Sequence, residues 1–178
     1  MSDMDTADNS GIRFKGRPVS VKGRGLRPGD MAPSFELTDG NLEDLRSESL
    51  HGKPIVLSTV PSLDTPVCAA QTERFNSEAK KLSGDTVILT VSRDLPFAQT
   101  RWCREHSVEG VRTASDHKHR SFGEAYGVEM PDLGLLARAV FVIDRSGRLV
   151  HVEYVQEITR EPDYDRALDA LRGAEQGS

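Results

Sequence analysis

In the stretch PSLDTPVC, residues 61–68, a cysteine stands three places after a threonine and two after a proline. Thr65 suits the N-cap of a helix and Pro66 its first position, which puts Cys68 in the first helical turn. Backbone N–H groups there lack helical partners, and the positive end of the helix dipole favours a thiolate over a thiol. The difference is chemical: a free cysteine, with a pKa near ~8.5, is only a few per cent ionised at neutral pH, and the thiolate is the nucleophile. By itself such a cysteine is read more readily as a small buried apolar residue. The chain has one other, Cys103. Two cysteines this far apart make neither a C-x-x-C motif nor a structural disulfide framework. Cys103, His106, His117 and His119 together form C-x-x-H followed by H-x-H, four zinc-ligand types at loose spacing. The histidines of SDHKHR are read more simply as a polar loop.

The elements that must position these residues follow from hydrophobic pattern. IVLSTV (55–60), TVILTVS (86–92) and AVFVID (139–144) are short apolar runs that predict buried strands. RLVHVEY (148–154) follows the turn Arg145-Ser146-Gly147, so the last two strands form a hairpin. Between the first two strands, 66–82 reads as a helix with Val67, Ala70, Phe75, Ala79 and Leu82 on a shared face. LPFAQTRWCREH starts a second helix after Asp94, read as its N-cap, with Pro96 in the first turn. A short helix is expected in HRSFGEAYGV. EPDYDRALDALR closes the chain as a helix, with acids early and Arg172 late, as the dipole favours. Towards the N-terminus, Ile12 and Phe14, then Val19 and Val21, alternate around a turn containing Gly16 and predict a β-hairpin. APSFELTD suggests a short strand, and Leu42, Leu45 and Leu50, closed by Gly52 and Pro54, suggest a helix. Strands alternating with helices imply an α/β domain with a mixed central sheet. Residues 1–10 are expected to be a disordered tail and 11–178 one domain.

Composition narrows the class. With 178 residues, 37% of them hydrophobic and 29% charged, the chain suits one ordinary globular domain. No apolar stretch reaches the roughly 18 residues that span a bilayer, and no membrane partner is expected. The opening MSDMDTADNS is acidic and polar, unlike a secretory signal, so a cytoplasmic location is expected. A net charge of −5 argues against nucleic acid as a partner. Residues 9–29 run against that balance, with six basic side chains and no acid, and are read as the solvated face of the hairpin.

Pro61-x-x-x-Thr65-x-x-Cys68 matches the active-site signature of peroxiredoxins. Further blocks, VSRDLPFAQTRWC, SFGEAYGVEM, LLARAVFVID and EITREPDYDRAL, resemble the atypical two-cysteine thiol peroxidase branch of that family, over about Phe14 to Leu171. The resemblance implies a thioredoxin-like fold carrying the N-terminal hairpin as an extension. It also implies reduction of hydrogen peroxide and organic hydroperoxides without metal, flavin or haem. Cys68 would then attack the O–O bond, Thr65 would hydrogen-bond thiolate and peroxide, and Pro61 would shield the pocket. Arg138 would bring a fixed positive charge to the sulfur and the developing oxyanion. Cys103 would condense with the Cys68 sulfenic acid to an intramolecular disulfide, reduced afterwards by thioredoxin, and a homodimer is implied as well. A disulfide needs Cα atoms within about 7 Å, and the two cysteines sit in different helices, so one helix end is expected to unwind during turnover. Pro66 where the branch usually has glycine, Val60 where phenylalanine is frequent, and a short EMPDLGLLARAV segment depart from the pattern; they bear on pocket shape more than on the reaction. The same pair of cysteines could also serve a redox-sensing binding protein, which needs only one oxidation where an enzyme needs many.

Overall fold

The computed structural model describes residues 8–177. The tail expected over 1–10 lies, for residues 1–7, outside the described part. Asn9 donates its side-chain amide to the carbonyls of Gly23 and Gly127 at 3.1 and 2.9 Å.

The three apolar runs form the middle of the sheet. β5 (Ile55–Thr59), β6 (Val87–Ser92) and β10 (Ala139–Ile143) are buried at every position, as strands covered on both faces must be. β5 and β6 pair in parallel, and β10 runs antiparallel to β5. β11 (Leu149–Tyr154) folds back on β10. On the other side, β7 (Arg112–Ser115) joins β6 in parallel, followed by β3 (Glu36–Thr38) and β4 (Asp44–Arg46), both antiparallel. The order β11-β10-β5-β6-β7-β3-β4 is a seven-stranded mixed sheet, the α/β architecture that the alternation implied and the thioredoxin-like fold that the resemblance implied.

Alternate residues divide two cores. Val56, Ile88, Val140 and Val142 pack with Phe75, Trp102, Leu168 and Leu171, which belong to α1 (Pro66–Ala79), α2 (Pro96–Glu105) and α4 (Tyr164–Gln176). Leu57, Leu89 and Phe141 face the other side, towards Leu37, Tyr126 and Phe122 of the one-turn α3 (Phe122–Ala125). Both cysteine helices therefore begin just beyond the carboxyl ends of parallel strands, where open α/β sheets place their ligand sites.

The N-terminal hairpin is present but small. β1 (Arg13–Phe14) pairs with β2 (Arg17–Pro18) with Phe14 opposite Arg17. Lys15 and Gly16 between them have φ of 52° and 80°, the two positive values of a two-residue hairpin turn. A second short ladder joins β8 (Glu129–Met130) to β9 (Leu135–Leu136).

Several expectations are corrected. The leucines at 42, 45 and 50 do not share a helix. The Asp39 carboxylate accepts from the amides of Asn41 and Glu43, closing a turn in which Leu42 is exposed at φ 65°. Leu45 then lies in β4, and only Ser47–Leu50 winds, as a single 3₁₀ turn. The first long helix ends at Ala79, because Lys81 and Leu82 already make tighter bonds to Glu78 and Ala79. Its buried face is Cys68, Gln71, Thr72 and Phe75 instead of the apolar set expected, with which it shares only Phe75. Leu95, not Asp94, caps α2. β7, with no apolar run of its own, was not foreseen.

Candidate active site

After β5 the chain leaves the sheet at Val60-Pro61 and turns. The turn is held from the end of β6: Asp94 accepts from Ser62 Oγ at 2.7 Å, from the Leu63 amide at 2.8 Å and from Ser92 Oγ at 2.8 Å. This explains why Asp94 does not cap α2, since its carboxylate ties the two strand ends together. Thr65 follows in extended conformation, Pro66 takes the first helical position, and the Ala69 amide makes the first bond of the helix, to Thr65 at 3.0 Å. Cys68 thus sits in the first turn, fully buried and unpaired.

Its surroundings are polar where a core would be apolar. Arg138, only 2% exposed, donates Nη2 towards Cys68 Sγ at 3.2 Å, Nη1 to Gln71 Oε1 at 2.8 Å and Nε to the Ile158 carbonyl at 2.7 Å. Gln71 passes its own Nε2 to Ser58 Oγ at 2.6 Å. A buried guanidinium survives only with its donors satisfied, and its planar fork, met on three sides, has one orientation. That orientation aims a fixed charge at the sulfur.

Above this floor opens a cavity of about 260 Å³. Pro61, Thr65 and Val67 line it from the turn and helix start, Ile158 and Thr159 from the loop after β11, and Phe14 and Lys15 from the hairpin. Lys15, Thr65, Thr159 and Arg138 belong to the lining, yet the surface turned to the cavity is almost wholly apolar. The structure brings Pro61, Thr65, Cys68 and Arg138 together at one place. Thr65 differs from expectation in detail, because its hydroxyl donates to the Ser62 carbonyl at 3.0 Å. One hydroxyl proton serves one acceptor, so this group must rotate to bond a sulfur or a bound oxygen.

Cys103 lies near the end of α2, half-buried, against the apolar cluster that also holds Cys68. It is a free thiol. Burial pushes its pKa above the ordinary cysteine value, with a hydrogen bond from Thr113 opposing. The four zinc-type residues are not assembled. His106 stacks on Trp102 at 4.2 Å and bonds Glu73, while His117 bonds Ser115 and His119 bonds Asp44. Among the described residues, the ligand-type atoms that gather are those of Glu36, Asp44 and His119, without Cys103.

Sequence reasoning missed Gln71, Ser58 and Phe14. Gln71 was findable, being three residues from Cys68 and so on the same helix face. Phe14 had no such signal, since its place depends on how the hairpin packs.

A family model described as Redoxin matches residues 27–168, a span that includes Pro61, Thr65, Cys68, Cys103 and Arg138. The chain is 48% identical over 161 residues to the thiol peroxidase of Bacillus subtilis (strain 168), covering 90% of this chain and 96% of that one. It is 49% identical over 161 residues to the thiol peroxidase of Staphylococcus aureus (strain MRSA252), with 90% and 97% covered. Among solved structures, a peroxiredoxin-like protein from Aquifex aeolicus superposes with a TM-score of 0.85 at 38% identity, over 93% of this chain and 97% of that one. At this identity, with nearly all of both chains aligned, the chain belongs to the redoxin family, in the company of its thiol peroxidases.

Proposed function

We propose that this chain is a thiol-dependent peroxidase, reducing hydrogen peroxide and organic hydroperoxides to water or alcohol. The observation that carries the reading is a buried guanidinium 3.2 Å from a buried sulfur, beside an apolar cavity. The name thiol peroxidase borne by the relatives supports the same class.

In this mechanism the Cys68 thiolate attacks one oxygen of the peroxide. The S–O bond forms as the O–O bond breaks, and the sulfur gives up the electron pair. The departing oxygen takes a proton and leaves as alcohol or water, and Cys68 remains as a sulfenic acid. Displacement at oxygen needs an aligned O–O bond and donors facing the charge that develops. Arg138 supplies that donor, held in aim by Gln71 and the Ile158 carbonyl. Pro61 keeps water from the sulfur, and the Thr65 hydroxyl turns from Ser62 to the bound oxygen. The Cys103 sulfur then attacks the sulfenic sulfur, water leaves, and a Cys68–Cys103 disulfide forms. An external dithiol takes the oxidation away in two exchange steps. Thioredoxin as that dithiol, a homodimer and a cytoplasmic location complete the reading, on the strength of the family resemblance and the composition.

Mass spectrometry of the intact chain and its peptides after one equivalent of peroxide tests the scheme. An internal 68–103 crosslink is expected, followed by many equivalents consumed once a dithiol is added. Consumption that stops at one equivalent in the presence of reductant would favour a sensor over an enzyme.

A further inference from the structure

The cavity lined by Arg138 and the turn before Cys68 has one wall that the Redoxin match leaves out. Phe14 and Lys15 line it from the hairpin, ahead of the matched span 27–168. Two-residue strands cannot hold such a wall in place by themselves. The hairpin leans instead on the loop after β11: the Arg13 amide donates to the Gln156 carbonyl at 2.7 Å, and the Ile158 amide donates to the Arg13 carbonyl at 2.9 Å.

Between those two bonds lies Glu157. Its Oε1 accepts from the Gly16 amide at 2.7 Å. Its Oε2 accepts from the Lys15 amide at 3.2 Å, the Thr159 amide at 3.1 Å and the Thr159 hydroxyl at 2.8 Å. One carboxylate thus ties the hairpin tip to the adjoining cavity wall. The tip needs the grip, because Lys15 carries a side chain at φ 52°, a conformation that non-glycine residues adopt rarely. These donors, led by Thr159, hold the Glu157 carboxyl down to about 2, so the clamp stays ionised at any working pH. The same loop gives its Ile158 carbonyl to Arg138.

We propose that Glu157 is a positioning residue for substrate selectivity: it fixes Phe14 and the Ile158–Thr159 loop as adjoining walls that receive the apolar tail of an organic hydroperoxide. The inference rests on the peroxidase reading above. Hydrogen peroxide has no tail and does not need the walls.

The test is steady-state kinetics with hydrogen peroxide and with cumene hydroperoxide, using dithiothreitol as reductant, on the full chain and on Glu157→Ala, Glu157→Gln and Phe14→Ala. For Glu157→Ala, KM for cumene hydroperoxide is expected to rise roughly tenfold with kcat within about twofold, while kcat/KM for hydrogen peroxide falls at most about twofold. Glu157→Gln keeps one accepting oxygen in the same volume and should fall between. Phe14→Ala should lose selectivity in the same direction, and combining it with Glu157→Ala should add little, since both act on one wall. Equal losses with both peroxides would overturn the inference, pointing to an effect through Arg138 common to all substrates; so would an unchanged selectivity ratio. Should Glu157→Ala melt well below the parent chain, Phe14→Ala alone decides, and a wild-type ratio there rejects the wall. Absence of turnover in the parent chain with either peroxide would instead reject the peroxidase reading itself.

Discussion

The two cysteines differ in everything but their element type. Cys68 begins a helix, has no exposed surface, and its sulfur faces a guanidinium held by three acceptors. Cys103 ends a helix, is half-buried in apolar company, and keeps its proton more tightly than an ordinary cysteine because of that burial. The first site is assembled before any substrate arrives. The second has no such setting in this conformation, and in the proposed scheme its sulfur reaches Cys68 after α2 or the start of α1 gives way. On the proposed scheme, preorganisation belongs to the sulfur that attacks first, and mobility to the one that resolves it.

The largest effect should come from Cys68→Ser. Without the attacking sulfur, peroxide consumption in the presence of dithiol should drop about a thousandfold or more. Residual turnover within tenfold of the parent would end the asymmetry argued above. Cys103→Ser should cut differently. One rapid equivalent of peroxide should still be consumed, because the Cys68 site is intact, and cycling with thioredoxin should then stall or slow, leaving a sulfenic acid that excess peroxide drives to sulfinic acid. Undiminished cycling with thioredoxin would mean that Cys103 has no part in resolution.

This asymmetry was only half legible in the sequence. The buried strands announced themselves as IVLSTV, VILTVS and AVFVI, since a strand covered on both faces reads as a largely apolar run, broken here only by small hydroxyl residues. Thr65-Pro66 likewise marked the helix start that carries Cys68, because cap and N1 preferences are local. The inward face of α1 was misread. An apolar-periodicity argument selects Val67, Ala70 and Leu82, whereas the helix buries Gln71 and Thr72 beside Cys68. Those polar groups are tolerated inside because Arg138, Ser58 and the Cys68 carbonyl satisfy them, and such partners, up to 67 residues away, leave no local trace. β7 escaped for a related reason. Arg112-Thr113-Ala114-Ser115 has little apolar content and is a strand because β6 and β3 pair with it. Phe14 reached the cavity only through tertiary docking of the hairpin.

Gln71 sharpens the comparison from within the Cys68 site. Gln71→Met keeps most of the volume but withdraws the acceptor from Arg138 Nη1 and the donor to Ser58 Oγ. Leaving a buried donor unpaired costs about 1–3 kcal/mol, more when it is charged, so urea unfolding should show a loss of at least that size. The rate of the first peroxide equivalent should fall roughly tenfold, as the guanidinium loses one of its three fixed directions. If stability falls and the rate does not, the aim of Arg138 is set by Ile158 alone.

The smallest effect tests the Cys103 side. In a Cys68→Ser background Cys103 is the one thiol, and iodoacetamide reacts with its thiolate. Burial raises its pKa above the ordinary cysteine value, so at pH 8 labelling of the folded chain should be slower than in urea. Its rise with pH should also be displaced upwards relative to the unfolded chain. The linkage has a definite sign. A folded-state pKa raised above the unfolded one contributes stability that is fully present below the unfolded value and is lost as pH climbs through the higher folded value. Opening the end of α2 should erase the displacement before it unfolds the domain, and Thr113→Val gives the control: it deletes the one hydrogen bond that lowers the thiol's pKa, so labelling should slow further. Identical titrations in folded and unfolded chain would mean that burial does not hold the Cys103 proton, and that the contrast with Cys68 lies in position alone.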